Sequence, residues 1–266
     1  MKFATFVLAY NQDKWIMRNI ENAYPHVDRI YVGYSKYPWN YDPESRFLRL
    51  NEFDINIIKN SPYKDKIKII EGDWTYEFDE RNEILYAAKN DGMDYLMIHD
   101  ADEFYFHNDF EKLKDIVKQY PENDAYAVRM CVFWKSLDYI LIAPPLTADG
   151  VTFGGKISGI AEVVMNLKTE HKFTHIRYSG AKTYKILDES DLIYYHTSYV
   201  LTDEELYRKI KTWAHRNDFD VEKWYQEKWL NWTLEMTDLH PIWPYSWSRA
   251  EKYDGLLPEV LQDLRS

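Results

Sequence analysis

Residues 94–106 read DYLMIHDADEFYF, an apolar run followed at once by Asp100, Asp102 and Glu103. The run predicts a buried strand over 94–99, and three acids crowd its end. In extended chain alternate side chains share a side, so Asp100 and Asp102 are expected to project together, their Cα atoms about 6.6 Å apart. Burying both unpaired costs several kcal/mol, so a cation, a hydrogen-bond network or solvent has to compensate. Oxygen donors favour Mg²⁺ or Mn²⁺ over softer metals, and ligands of open α/β sheets gather at the carboxyl ends of strands. A solvated acidic loop capping the next helix is the alternative use of such a tripeptide.

Working outward, the strand at 94–99 is the fourth of a series. Residues 3–9 form a continuous apolar run, RIYVGY at 29–34 a second strand and KIKIIE at 66–71 a third. Between them Trp15, Ile16, Ile20 and Ala23 recur near helical spacing over 14–23, and amphipathic helices are expected at 80–90 and 109–119. Short strands alternating with helices predict the α/β class, a mostly parallel sheet covered by helices. The polar stretch 35–62 is too long for a bare connection, so a helix is expected near 43–53. Beyond 119, strands at 125–134, 139–143, 160–167 and 192–196 lack long helices between them, which implies an antiparallel extension. Residues 144–155 carry two Pro and three Gly and are read as a loop able to act as a lid. Helices at 202–216 and 221–235 and a Trp- and Pro-rich tail follow. The expected organisation is one α/β domain over 1–200 with a helical extension, 201–266, packed on it.

Composition narrows the function. With 45% hydrophobic and 17% aromatic residues the 266-residue chain is not disordered, and the single Cys131 excludes a disulfide framework and fits a reducing, cytoplasmic setting. The net charge of -11 repels polyanions, which argues against non-specific nucleic-acid binding and favours an acidic cleft that takes a nucleotide through a divalent cation. No stretch approaches ~18 consecutive apolar residues, and MKFATFVLAYNQDKW lacks the pattern of a signal peptide, so a soluble, unprocessed protein with no membrane span is expected.

Several ordered pieces together resemble the GT-A glycosyltransferases, and more narrowly the family 2 glycosyltransferases with a DADE-type metal motif. FVLAYNQ is similar to their first strand and nucleotide-contacting turn, and WTYEFDERNEILYAAKNDGMDYLMIHDADEF to their run from an Arg-Asn helix to the metal motif. YYHTSYV and the closing YDGLLPEVLQ resemble their C-terminal signatures. The resemblance implies a GT-A, nucleotide-diphospho-sugar transferase fold with a Rossmann-like mixed sheet. It also implies transfer of a sugar from a nucleoside diphosphate donor, UDP-linked by resemblance, to a glycan or other hydroxyl acceptor.

It assigns residues as well. Ala9, Tyr10 and Asn11 correspond to the turn on the nucleotide base, where an aromatic face suits a planar heterocycle. Gly33 closes the second strand, although VGYSKYPWN lacks the acidic residue the family shows there. Asp73, in EGDW, is placed to accept from a base N–H, or simply to form a turn. Arg81 and Asn82 are expected in the first turn of a helix capped by Asp79, facing a diphosphate together with free backbone N–H groups. An Arg there opposes the helix dipole, and an anion gives it a reason; a solvated face is the alternative. Asp100, Ala101 and Asp102 form the motif, and His196 completes a metal shell with Asp100 and Asp102 around Mn²⁺ or Mg²⁺. His215 and His240 are weaker alternatives. For the base that activates the acceptor, Asp138, Asp149 and Glu162 are available, Glu162 preferred, with Asp102 as the other catalytic residue.

Of the tryptophans, Trp213, Trp224, Trp229 and Trp232 are expected to bury, whereas Trp243 and Trp247, beside Pro241 and Pro244, are expected partly exposed and able to line an acceptor groove. A non-catalytic sugar- or nucleotide-binding module and a nucleotidyltransferase are the competing readings. The latter usually carries a Gly-rich phosphate loop after the first strand, and AYNQDKW has no Gly.

Overall fold

A computed structural model of the chain describes every residue except 12, 40–49, 144–145, 149–150, 154–158, 213–214 and 266, and the side chains at 146–148 and 151–153 are left aside with them. The opening apolar run is β1 (Phe3–Leu8), buried throughout. α1 (Ile16–Ala23) turns Ile16, Ile20 and Ala23 inward and, with them, Asn19 and Asn22. β2 (Arg29–Ser35), a short α2 (Asn56–Lys59), β3 (Ile67–Gly72), α3 (Glu77–Asn90) and β4 (Tyr95–Ile98) follow. The four strands pair in parallel in the order β3-β2-β1-β4. Strands covered on both faces need apolar residues at every position, which is why β1 and β4 read as unbroken runs. Phe3 and Val7 of β1 pack with Ile16 and Ile20 on one face, and Ala4, Phe6 and Leu8 with Ile84, Leu85 and Ala88 of α3 on the other.

The chain winds outward from β1 to β3 and then returns past β1 to lay down β4. Winding therefore reverses between β1 and β4, and such a reversal opens a crevice beyond the carboxyl ends of the two strands.

β5 (Glu103–Phe104), α4 (His107–Gln119), β6 (Ala125–Trp134), β7 (Ser136–Ile142), the hairpin of β8 (Leu146–Ala148) and β9 (Val151–Phe153), β10 (Gly159–Asn166), β11 (Tyr184–Ile186) and β12 (Ile193–Tyr199) come next. β10 lies antiparallel between β4 and β6, so one mixed sheet continues across the crevice. β12 runs parallel to β6 and antiparallel to β5, which sets His196 opposite Glu103. The fold is the expected α/β class, with a parallel half and a mixed half.

After β12 come α5 (Asp203–Thr212), α6 (Val221–Trp224), a π turn (Tyr225–Leu230) and β13 (Arg249–Lys252). Thr202 and Glu205 cap α5 reciprocally: the Glu205 N–H donates to Thr202 Oγ1 at 3.2 Å and the Thr202 N–H to Glu205 Oε2 at 2.8 Å. Residues 201–266 are not purely helical as expected, because β13 adds to the edge of the main sheet against β7. Trp224 and Trp229 bury on Trp134 of β6.

Other boundaries differ from expectation. α3 begins at Glu77, ahead of the expected Asp79 cap, because Glu77 pairs with Arg81 one turn on and extends the helix toward its N-terminus. The helix expected at 221–235 is one turn of α6 and the π turn. Residues 43–49 of the helix expected near 43–53 lie outside the described residues, and 50–53 are not helical. Of the expected lid, only β8 and β9 are described, and the end of the helix expected at 202–216 includes undescribed positions 213–214, so Trp213 lies outside, as does Asp149. Among the described residues no helix is long and apolar enough to cross a membrane.

Candidate active site

A cleft of about 900 Å³ opens at the reversal, lined by Leu8 at the end of β1 and Tyr10 just beyond it, and by Asp100 to Glu103 after β4. Its floor is the acidic stretch, and its shape departs from extended chain: the Glu103 N–H donates to the Asp100 carbonyl at 2.9 Å, closing a turn. Asn19 holds that turn from α1, its amide donating to the carbonyls of Asp100 at 2.9 Å and Glu103 at 3.1 Å. One turn along α1, Asn22 exchanges two hydrogen bonds with the Tyr105 backbone. Buried polar residues on an otherwise apolar helix face thus satisfy backbone that the turn takes out of the sheet.

The turn sends the two aspartates to different partners. Asp100 accepts from Arg81 Nη2 at 2.9 Å and lies 3.5 Å from Arg177 Nη2, and Arg81 also pairs with Glu77 at 2.6 Å. Arg177 forks onto Glu103 at 2.6 and 2.7 Å. Asp102 lies 3.4 Å from His196 Nε2 and 3.2 Å from Lys209 Nζ, and the Lys209 ammonium also donates to Ser198 Oγ at 2.8 Å. The Thr197 N–H donates to the Asp102 carbonyl at 2.8 Å and keeps β12 seated against the turn. Burial opposes ionisation of both aspartates, yet Arg81 and Arg177 hold Asp100, and Lys209 and His196 hold Asp102, below the usual carboxylate range. Both therefore stay anionic.

Arg81 is buried, and its Nη1 has no hydrogen-bond partner among the described residues; the same holds for Arg177 Nε. Two guanidinium groups with unmatched N–H bonds beside a cleft suit an anionic ligand. The donor set fits the expected divalent ion in part. Among the described residues no three His, Cys, Asp or Glu side chains gather into a shell, so Asp100, Asp102 and His196 do not converge. Asp102 and His196 alone sit side by side, with Lys209 on the other oxygen of Asp102, and they are the two residues that would hold such an ion.

Glu162 of β10, also in the cleft lining, is 6% exposed. Its Oε2 accepts from the Tyr184 hydroxyl at 3.0 Å, and its Oε1 has no partner among the described residues. Burial raises its pKa against the hydrogen bonds from Ser179 and Tyr184 and the charge of Arg177. Asp138 lies off the cleft, bonded to Ser136. Cys131, its thiol pushed up to about 12 by burial, also lies off it.

Tyr10, Asn11, Arg81, Asp100, Ala101, Asp102, Glu162 and His196 all line the cleft, and His215 and His240 do too. Asn11, at φ 50, ties the chain at Leu50 and Glu52 to the end of β1. Four expected residues lie elsewhere. Ala9 is buried with its N–H on Gly33 and its carbonyl on Asn51. Gly33 leaves room for Glu80, which a Cβ would strike. Asp73 is exposed away from the cleft. Asn82 is turned out of the cleft, exchanging two hydrogen bonds with the Phe173 backbone at 2.9 and 2.8 Å.

Three cleft residues were not foreseen. Trp39 faces Tyr10 with ring centroids 5.5 Å apart, and its indole N–H donates to buried Glu80 at 2.7 Å. Lys209 interrupts the buried stripe of Leu206 and Ile210 on α5, a cation on an apolar face that is a readable signal. Arg177 lies in a polar connection with no periodicity to single it out.

No family model matches the chain, and no curated protein matches it. Among solved structures, S. aureus TarS 1–349 is similar at 14% identity with a TM-score of 0.46 over 79% of this chain and 64% of that one. The same protein in complex with UDP is 14% identical, TM-score 0.44, over 80% of this chain and 64% of that one. HddC from Yersinia pseudotuberculosis is 13% identical, TM-score 0.41, over 77% of this chain and 96% of that one. The chain thus spans 64% of the TarS fragment it matches.

Proposed function

We propose that the cleft transfers a sugar from a nucleoside diphosphate donor to a hydroxyl acceptor. The observation that carries this reading is the set of unmatched polar atoms lining one cleft at the sheet reversal: N–H groups on the Arg81 and Arg177 guanidinium groups and one oxygen of the buried Glu162 carboxyl.

In this reading Tyr10 and Trp39, packed on each other, offer the nucleobase a single aromatic wall, and Arg81, Arg177 and Lys209 face the diphosphate. Glu162 takes the proton of the acceptor hydroxyl. The hydroxyl oxygen bonds to the anomeric carbon as the carbon–oxygen bond to the diphosphate breaks, and the electron pair leaves on the phosphate oxygen. Asp102 and His196 are the residues that would hold a Mg²⁺ or Mn²⁺ ion, whose chemistry there would be Lewis-acid stabilisation of the departing charge. A base works best with its pKa near the working pH, and burial moves Glu162 upward in that direction.

The test is release of free nucleoside diphosphate from a panel of nucleotide sugars with Mn²⁺ or Mg²⁺. Turnover is expected for at least one donor, rising with pH along its acid limb. Asp102→Asn is expected to fold and lose turnover, and Glu162→Gln to keep donor binding, lose at least 100-fold in turnover and abolish the acid limb. Release of pyrophosphate from nucleoside triphosphates and sugar phosphates would instead identify a nucleotidyltransferase. Binding of a nucleotide sugar without any turnover would leave a binding module.

A further inference from the structure

We infer that Tyr184 is a positioning residue for the acceptor base: its hydroxyl holds one oxygen of Glu162 and leaves the other to take the acceptor proton. This rests on the transferase reading above and adds to it the residue that aims its base.

The contact is built into the sheet. Glu162 of β10 pairs with Ala127 of β6, and Tyr184 of β11 pairs with Ala125 on the opposite edge of β6. Alternate residues of a strand share a face, so the pairings at Ala125 and Ala127 put Tyr184 and Glu162 on the same side of the sheet. Two strand spacings, about 10 Å, separate β10 from β11. Tyr184 crosses that distance because β6 presents only the methyl groups of Ala125 and Ala127 between the two strands. The crossing ends with its hydroxyl donating to Glu162 Oε2 at 3.0 Å.

A second donor backs the first. The Ser179 N–H reaches the same oxygen at 3.4 Å, and Ser179 is held in turn through its Oγ, 3.0 Å from Nδ1 of buried His171. Oε1 has no partner among the described residues. Glu162 lines the cleft, whereas Tyr184 and Ser179 do not, so both act on a molecule in the cleft through the carboxyl.

The charges around the pair agree with this division. Burial first, and then the Glu162 charge and hydrogen bond, raise the Tyr184 hydroxyl above its ordinary value, with Tyr178 and Asp124 pushing the same way. It therefore stays protonated and donates. On Glu162 burial opposes ionisation, whereas Ser179, Tyr184 and the Arg177 charge favour it. His171, lowered by burial, stays neutral behind Ser179. A hydrogen bond to the charged form of a carboxyl favours that form, so without the Tyr184 hydroxyl Glu162 should keep its proton to higher pH.

The test titrates Glu162 by ¹³C NMR of the full chain labelled at glutamate Cδ, its signal assigned as the one missing from Glu162→Gln. Tyr184→Phe is expected to raise the midpoint by about one pH unit, the tenfold change in proton affinity that goes with losing one charge-assisted hydrogen bond. Ala127→Val, which narrows the crossing and leaves the hydroxyl in place, is expected to move it in the same direction. Hydrolysis of UDP- and GDP-linked hexoses in Mn²⁺ gives the kinetic readout. In Tyr184→Phe the acid limb of kcat should move with the midpoint and kcat above it should fall about tenfold, while the donor KM changes less than threefold. A midpoint and an acid limb unchanged in Tyr184→Phe would overturn the inference and leave the transferase reading standing. So would a raised donor KM at unchanged kcat, which would place Tyr184 in donor binding. A parent protein that hydrolyses none of these donors, or Glu162→Gln with the turnover of the parent, removes the base reading and the inference with it.

Discussion

Asp100 and Asp102 illustrate how two residues of identical chemistry, two positions apart, acquire different work. Extended chain would point them together, but the turn closed by the Asp100 carbonyl separates them. Asp100 then anchors two arginines, and Asp102 stands with His196 and Lys209. The acids were legible because they follow an apolar strand without interruption. Of their partners, Arg177 has nothing local to mark it, and Lys209 is marked only as a cation on the apolar face of α5, with nothing local to say which acid it meets. Asn19 is the residue on which this division depends, since it binds the carbonyls at both ends of the turn. Asn19→Ala leaves those buried carbonyls short of a donor and is expected to lower stability by about 2 kcal/mol. Because the turn carries the cleft floor, turnover should also fall at least tenfold. Urea unfolding and donor hydrolysis measured on the same preparation check both, and a variant as stable and as active as the parent would show that the turn holds itself.

At the scale of elements, α3 is the informative case. Its amphipathic run was readable, but three polar residues on its buried side, Glu77, Glu80 and Arg81, were not readable as core. Glu80 is the most exacting of them: it accepts from the Trp39 indole and is accommodated by the absent side chain at Gly33. Burial outweighs that hydrogen bond and raises its pKa to about 8. A carboxyl whose folded pKa exceeds its unfolded value binds more protons in the native state between the two values. Stability is therefore fully present below the unfolded value, near 4.5, and is lost as pH rises toward about 8, at roughly 1.4 kcal/mol per pH unit for this group. Glu80→Gln keeps an oxygen for Trp39 and cannot ionise. It is expected to remove that decline, so that thermal unfolding at pH 5 and pH 8 differs less in the variant than in the parent, with the variant the more stable at pH 8. Parallel declines in the two proteins would mean that Glu80 is not the group responsible.

For the molecule as a whole, the four strands of the parallel half and a site at strand carboxyl ends were legible from alternating apolar runs and helices, whereas the order β3-β2-β1-β4, and with it the reversal that opens the crevice, came from the structure. The mixed half was legible only as strands. Its pairings, including β12 beside β5 and β13 at the sheet edge, come from contacts across the chain that leave no periodic trace. That half nevertheless closes the site, since Glu162, His196, Lys209 and Trp243 all come from it. A ligand bridging the halves should therefore stabilise the whole fold rather than one lobe. A nucleoside diphosphate present at 100 times its Kd adds about 2.7 kcal/mol, which for a chain of this length corresponds to a rise in Tm of about 5 °C. The net charge of -11 works against any such anion at long range, so the gain has to come from the cations inside the cleft. If Asp102 and His196 share an ion with the diphosphate, the rise in Mn²⁺ should exceed the rise in a chelator, where Arg81, Arg177 and Lys209 act alone. Differential scanning fluorimetry with UDP, GDP and CDP in Mn²⁺ or chelator makes the comparison directly. Equal shifts in the two buffers would assign the phosphates to the three cationic side chains without a metal, and no shift with any nucleotide would remove the nucleotide from the cleft.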